Sequence, residues 1–412
     1  MLKSIKISNF KSINEEIELS FEPAIKKELD EYYFTEDNLL KIALIYGPNA
    51  SGKTNIIKAI DFLRNFIFNP PKDKEEKIRL TPFKFTDTPK DTSKFILEFI
   101  ENNFSFVYEI HISNNQVIYE NLKSKDLSLS KPRYADVFIR KEEIKWGSKI
   151  KIKTQEKDIL KLNTLPNISL LSAYLRVNLE IIEIEKVFSF FKKILPAIYP
   201  TTDLLGFVLE KLEKQEITKE EIIKVLKNAD FAIDDFNIEE KEPEIEFLEF
   251  LKNIGKEEDF NNFKKIEIIF NHLQKYQLEF KEESLGTQRF YQLAAILVIV
   301  FKNSYIIPID EIESSLHPDL LKFFILIFLS NSKNSQLILT THTRELLFEK
   351  DILRKDVIWF CEKKEDLSTD LFSLSDFSEV RDNTSIYNYY KYGKFGAIPN
   401  IKNFLGIFDE KN

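Results

Sequence analysis

Ile5 and Ile7 alternate with Lys6 and Ser8, and Ile17, Leu19 and Phe21 repeat the pattern. Period two puts alternate side chains on one face, so this reads as an N-terminal strand pair. Lys41–Tyr46 is nearly all apolar, as expected for a central strand covered on both faces. From Asn55 to Phe68 the spacing turns helical, with Ile56, Ile57, Ile60, Leu63 and Ile67 on one side; Pro70 and Pro71 end it. Residues 78–155 carry short alternating runs between Asn-rich turns, which predicts an antiparallel β-lobe. Residues 177–265 are Glu/Lys-rich and helical in pattern. Thr218 and Glu221 have capping-box spacing there, and Pro196, Pro200 and Pro243 cut the region into short helices. It therefore lacks the sustained heptads of a long coiled coil.

Alternation returns over 266–280. A helix is predicted for Arg289–Lys302, buried strands for Ser304–Ile309 and Gln336–Thr340, a helix for Leu320–Leu329 and a short strand for Val357–Phe360. Such strand–helix–strand order indicates a mostly parallel sheet with helices on its faces. The expected fold is α/β, with a core split by an antiparallel β-lobe and a helical insertion. The divisions are 1–66 and 266–412 for the core halves, 67–176 for the β-rich lobe and 177–265 for the helices.

Composition narrows the class. Of 412 residues, 59 are basic and 67 acidic, for a net charge of −8, so charge gives no indication of a nucleic-acid coat. A local basic stripe remains compatible with DNA. A single cysteine, Cys361, excludes an internal disulfide and reads as a small core residue. The N-terminus has no apolar signal core, and the longest apolar runs are too short to span a bilayer. A cytoplasmic protein without membrane partners is expected. Glycine occurs only 9 times, and Gly47, Gly52, Gly286, Gly393 and Gly396 all fall in the motifs below.

Gly47-Pro48-Asn49-Ala50-Ser51-Gly52-Lys53-Thr54 matches GxxxxGK[ST] between a buried strand and a helix. In that context successive backbone N–H groups curl around phosphates, and the helix directs its positive end at them. Lys53 would reach the β- and γ-phosphates of ATP, Thr54 would bind Mg²⁺, and Asn55 follows in the same cradle. Tyr305–Ile309 is an apolar strand ending in Asp310 and Glu311. Asp310 would hold the metal, and Glu311 would polarise the attacking water. The run Gln336–His342 is again a buried strand ending in a polar group, with His342 placed to sense the γ-phosphate. Glu283–Arg289 opens a helix. Ser284 sits where an N-cap would, and its hydroxyl with the bare Gly286 backbone would also make a second anion surface.

These segments resemble the ABC-type ATPase core shared with SMC and RecF proteins: Walker A at 47–54, signature at 284–288, Walker B at 310–311 and H-loop at 341–342. The resemblance implies that Ser284 and Gly286 close over ATP held by a second copy. The N-terminal run Ile5–Ile13 is also similar to the opening of those proteins, which implies that Lys11 touches the nucleotide region. Glu311-Ile312-Glu313-Ser314-Ser315-Leu316-His317-Pro318 resembles the DEPExxLHP pattern of overcoming-lysogenization-defect (OLD) type ATPases, with His317 where a D-loop aspartate usually stands. Tyr389–Pro399 is similar to the GRYGAVP ending of AAA-family ATPases from abortive-infection systems, the AbiL-type and RloA-like proteins and, more distantly, PARIS-type ATPases. The signature departs from LSGGQ, with Leu285 in a glycine place. No Q-loop glutamine is evident, the place to look being Leu80–Phe85. The stretch after His342 is too short for the Toprim nuclease of OLD proteins, so an effector is expected on another polypeptide.

The resemblance thus implies an ATPase forming a homodimer or higher oligomer around ATP and controlling a separate, Toprim-like effector in antiphage defence. A RecF-like DNA-repair ATPase and an ATP-gated scaffold with slow turnover are the alternatives.

Overall fold

The computed structural model describes residues 1–24, 30–87, 92–113, 115–241, 265–349, 353–378 and 385–398. Pro243 and Pro399, named above, lie outside these. The strands are β1 (Leu2–Ser8), β2 (Ile17–Ser20), β3 (Ile42–Tyr46), β4 (Thr92–Glu101), β5 (Phe104–Ser113), β6 (Gln116–Asp126), β7 (Ala135–Arg140), β8 (Ile144–Trp146), β9 (Asp235–Lys241), β10 (Lys265–His272), β11 (Tyr276–Glu279), β12 (Ile306–Ile309), β13 (Gln336–Thr341), β14 (Ile358–Lys363) and β15 (Thr369–Ser373). The chain forms two compact units: Met1–Pro200 with Ser304–Glu313 and Ser332–Asn412, and Thr201–Asn303 with Ser314–Asn331.

The first unit holds two sheets. One is antiparallel, in the order β2-β1-β4-β5-β6-β7-β8. Burial alternates residue by residue along β4, the signature of a strand with one face on the core. Phe95 on that face packs against Phe10 and Phe62, with ring centroids 5.4 and 5.2 Å away. Phe99 stacks on Phe190 of the helix Ile182–Lys193 at 3.9 Å.

The other sheet has the order β12-β13-β3-β14-β15. Its first four strands are parallel and β15 returns antiparallel to β14. All of β3, β12 and β13 is buried, which explains their unbroken apolar runs. The stretch 194–198 runs parallel beside β12 and extends this sheet. From β3 the chain passes through a turn into the helix Lys53–Phe68, whose N-cap is Gly52 at φ 108° with no side-chain cap. Orphan N–H groups of the first helical turn are thereby left for other acceptors.

The second unit pairs β11-β10-β9 with several helices. In Lys219–Asn228 the box of Thr218 and Glu221 forms as its spacing predicts. The helix Leu285–Lys302 is buried almost all round, from Phe290 to Val300. Tyr291 packs edge-on against Phe236 and Phe270 at 5.3 and 5.2 Å.

The structure departs from the sequence reading in two places. The N-terminal strand pair is not separate from the β-lobe: β1 lies between β2 and β4, with Ile5 opposite Leu97, so one sheet crosses the 66/67 division. Pairing between distant strands leaves no local mark in sequence. The region read as helical contains β9, which completes a sheet with β10; its Glu-rich composition masks the short alternation at Phe236 and Ile238. The helix opened by Glu283–Arg289 begins at Leu285 as that segment predicts, the Ser284 hydroxyl accepting the Thr287 N–H as its cap. No described helix is long and apolar enough to cross a membrane.

Candidate functional site

The ends of β3, β12 and β13 bring the candidate residues of the first unit together. Parallel neighbours end on the same edge of the sheet, so the loops leaving these strands meet there. After β3 comes the loop Gly47–Gly52. Ala50 and Gly52 have φ of 63° and 108°, and the loop lies tight against its surroundings. A β-carbon on Gly47 would stand 2.2 Å from the Cys361 carbonyl oxygen, and one on Gly52 1.9 Å from Thr369 Oγ1. Any side chain at either position would therefore displace the loop.

Lys53 is buried and its Nζ donates to the carbonyls of Gly47 and Pro48, at 2.7 and 3.0 Å. Burial pulls its pKa below the usual lysine value, against the raising effect of Glu313, Asp310 and Glu311 nearby. The Thr54 hydroxyl donates to Asp310 Oδ2 at 2.8 Å. Ser51 and Asn55 are tied from below. The Ser51 carbonyl accepts from Thr369 Oγ1 at 2.8 Å, and Asn55 Nδ2 donates to Ser12 Oγ at 2.7 Å.

Asp310 and Glu311 come directly after β12. Asp310 accepts a second hydrogen bond, on Oδ1, from the Thr340 hydroxyl at 2.5 Å. That hydroxyl in turn accepts the Glu311 N–H at 2.8 Å. One β13 side chain thus holds both acids, and Glu311 sits at φ 45°, an unusual backbone for a non-glycine residue. His342 comes directly after β13. Its Nδ1 lies 2.7 Å from Glu313 Oε1, which also accepts the His342 N–H at 2.8 Å. The imidazole is half exposed while Glu313 is nearly buried, so the carboxylate fixes the ring.

Two contributors carry no functional mark of their own in the sequence. Thr340 and Glu313 stand there only as members of a strand and a motif, because their roles depend on which strands are neighbours. Tyr199 lies outside the site. It lies just past the stretch beside β12 and places its hydroxyl 3.2 Å from Asp61 Oδ2. In that stretch the Ile198 carbonyl accepts the Asp310 N–H at 2.7 Å.

Lys11 lies on the N-terminal turn before Ser12. Its φ is 52° and its N–H donates to the Thr81 carbonyl at 2.8 Å. The ammonium lines a groove of about 720 Å³ with Lys58 and Arg79 along the helix Lys53–Phe68, while the neighbouring Ser12 meets Asn55. Leu80–Phe85 packs on the same N-terminal turn, Phe83 N–H donating to Asn9 Oδ1 at 3.0 Å. Ser284 and Gly286 belong to the second unit. There Leu285 is largely exposed, and a β-carbon on Gly286 would lie 3.0 Å from the Ser315 carbonyl oxygen. His317 forms an exposed pair with Asp319 at 3.4 Å.

Thr54 and Asp310 supply hard oxygen donors to one point, the donor set that suits Mg²⁺ shared with phosphate oxygens. No group of three or more His, Cys, Asp or Glu that could hold a metal by itself occurs among the described residues. The geometry is therefore that of a phosphate loop facing an acid pair and a fixed imidazole, a combination able to bind and hydrolyse a nucleoside triphosphate.

A family model described as "AAA domain, putative AbiEii toxin, Type IV TA system" matches residues 42–347. No curated protein matches the chain. Among solved structures, an SMC head domain from Thermotoga maritima is 14% identical with a TM-score of 0.45, covering 90% of this chain and 98% of that one. A second, the SmcHead bound to the C-winged helix domain of ScpA, is 15% identical with a TM-score of 0.46, covering 90% and 97%. A third is an Smc head domain with an extended coiled coil, bound to the C-terminal domain of ScpA derived from Pyrococcus furiosus; it is 14% identical with a TM-score of 0.42, covering 90% and 96%.

Proposed function

The chain belongs to this AbiEii-type AAA-domain family, and from that premise we propose that it binds and hydrolyses ATP at the site just described. The observation that carries the reading is the chain of hydrogen bonds from Thr54 through Asp310 and Thr340 to Glu311. It joins the Thr54 hydroxyl to the Asp310 carboxylate and, through Thr340, to the Glu311 backbone N–H.

In this reading the loop N–H groups of Ala50–Lys53 and the helix behind them receive the phosphates. Lys53 exchanges its loop carbonyls for phosphate oxygens. Thr54 and Asp310 would hold Mg²⁺, which when bound would neutralise charge on the phosphate oxygens. Glu311 accepts the proton of the attacking water, and His342, its ring oriented by Glu313, stands at the γ-phosphate. Ser284 and Gly286 complete the site of a second copy. The higher-level reading is a sensor subunit in an abortive-infection system that controls a separately encoded effector such as a Toprim-like nuclease. The family's description and the similarity of the tail to abortive-infection ATPases support it.

Phosphate release with Mg-ATP tests the site. Lys53→Ala is expected to abolish ATP binding. Glu311→Gln is expected to keep binding and lower turnover by roughly 100-fold or more, since it removes the base alone. Normal turnover in both variants would remove the assignment. Purification of Glu311→Gln from its native locus with Mg-ATP tests the partner: a stoichiometric neighbour-encoded protein is expected, and its absence removes the effector reading.

A further inference from the structure

The run Tyr389–Ala397 takes no part in the chemistry above, yet the structure brings it to the same site. The chain there makes a tight turn, with φ of 71°, 67° and 52° at Gly393, Gly396 and Ala397. A β-carbon on Gly396 would lie 2.4 Å from Glu362 Oε2, and one on Gly393 2.7 Å from Ile398 Cδ1. Both positions therefore demand glycine on conformation and on space. Two side-chain hydrogen bonds fix the turn. The Ala397 N–H donates to Glu362 Oε2 and its carbonyl accepts from the Tyr390 hydroxyl, each at 2.9 Å. Tyr390 is buried and stacks on Phe360 at 5.2 Å, and Phe395 stacks on Phe360 at 5.3 Å. The turn is thus fixed to β14, the strand beside β3.

Tyr390 and Ala397 line a cavity of about 850 Å³ together with Gly47, Pro48, Asn49 and His342. Arg344, two residues beyond His342, lines it as well. Its guanidinium carbon stands 5.6 Å from the centre of the Tyr390 ring. Arg344 makes no ion pair and no side-chain hydrogen bond among the described residues. Of the acids on the cavity wall, Glu362 is engaged by the turn and Glu345 is exposed. A guanidinium resting on an aromatic face keeps its planar fork of donors while losing rotamer freedom. An oriented, uncommitted cation therefore stands beside the phosphate loop.

We propose that Arg344 binds the terminal phosphate of ATP, and that the Tyr390–Ala397 turn holds it in position to do so. The proposal rests on the reading of the site as an ATP site. Lys53 approaches the phosphates from the loop and Arg344 from the end of β13. A fork of two N–H groups matches two phosphate oxygens, a charge-assisted contact stronger than a neutral one. ADP lacks the group recognised. Arg344 thereby separates ATP from ADP, and the tail turn is coupled to which nucleotide is bound.

The experiment is equilibrium binding of ADP and of a non-hydrolysable ATP analogue to the full chain, with Mg²⁺. Arg344→Ala is expected to weaken the analogue by roughly tenfold or more and to leave ADP within about twofold. Arg344→Lys should recover part of the loss, and Tyr390→Ala should lower analogue affinity in the same selective way. Unchanged affinity for both ligands in Arg344→Ala overturns the proposal. Equal losses for both overturn it too, because they mark a side chain that only shapes the cavity. Lys53→Ala, measured alongside, separates the failures. If it binds the analogue like the unaltered chain, the ATP site itself is misplaced; if it alone loses binding, only the role of Arg344 falls.

Discussion

At the scale of single residues, Thr340 decides the geometry of the acid pair. It donates to Asp310 and accepts from Glu311, so one hydroxyl uses both of its capacities. Thr340→Val keeps the shape and deletes both bonds. We expect turnover to fall by roughly 10- to 100-fold and stability by about 1–3 kcal/mol, read from phosphate release and thermal unfolding. Thr340→Ser should behave like the parent; equal damage from both variants would mean that packing, not the hydroxyl, matters. Cys361 illustrates a residue whose inertness is physical. It is fully buried, and burial pushes its thiol up to about 12, with the Ser51 carbonyl 3.5 Å from the sulfur. Alkylation at about pH 8 should therefore wait on unfolding, and a stoichiometric fast reaction in native buffer would contradict this.

At the scale of elements, the helix Leu285–Lys302 holds an apparent contradiction. Arg289, in its second turn, is 6% exposed, yet none of its three guanidinium nitrogens has a hydrogen-bond partner among the described residues. Burial lowers its pKa, the direction expected for a charge removed from water without compensation. An unpaired buried charge destabilises the fold that contains it. Arg289→Met, similar in length and apolar, should raise the melting temperature by a few degrees in calorimetry without nucleotide. A fall of that size would show that the arginine contributes packing or pairing. The same helix shows what was legible at this level. Its apolar run and the Ser284 cap are written in sequence, but Phe290–Val300 reads the same whether one face or every face is covered. The long β4–β5–β6 meander was legible as alternation, whereas its union with β1 and β2 was not.

At the scale of the whole molecule, the proposed site is divided between copies, with Ser284 and Gly286 of one serving the nucleotide of another. Ser284→Arg is then expected to abolish turnover and to leave ATP binding largely intact, since the phosphate loop of each copy is untouched. Turnover per subunit in the unaltered chain should rise with protein concentration. Equal rates at nanomolar and micromolar protein, with no dimer present, would contradict a shared site.

The sequence alone located the Gly47–Thr54 loop, Asp310 and Glu311, His342 and the strands that deliver them. Each of these is a local pattern: glycines at fixed spacing, or an apolar run ending in a polar group. The tertiary structure decided the features that depend on adjacency between distant segments. It set Thr340 between Asp310 and Glu311, gave Glu313 to His342, set Lys11 in a groove along the helix Lys53–Phe68, and placed the Tyr390 turn and Arg344 beside Gly47–Asn49. Hydrogen bonds and ring contacts act over a few ångströms, and only strand order determines which residues come that close.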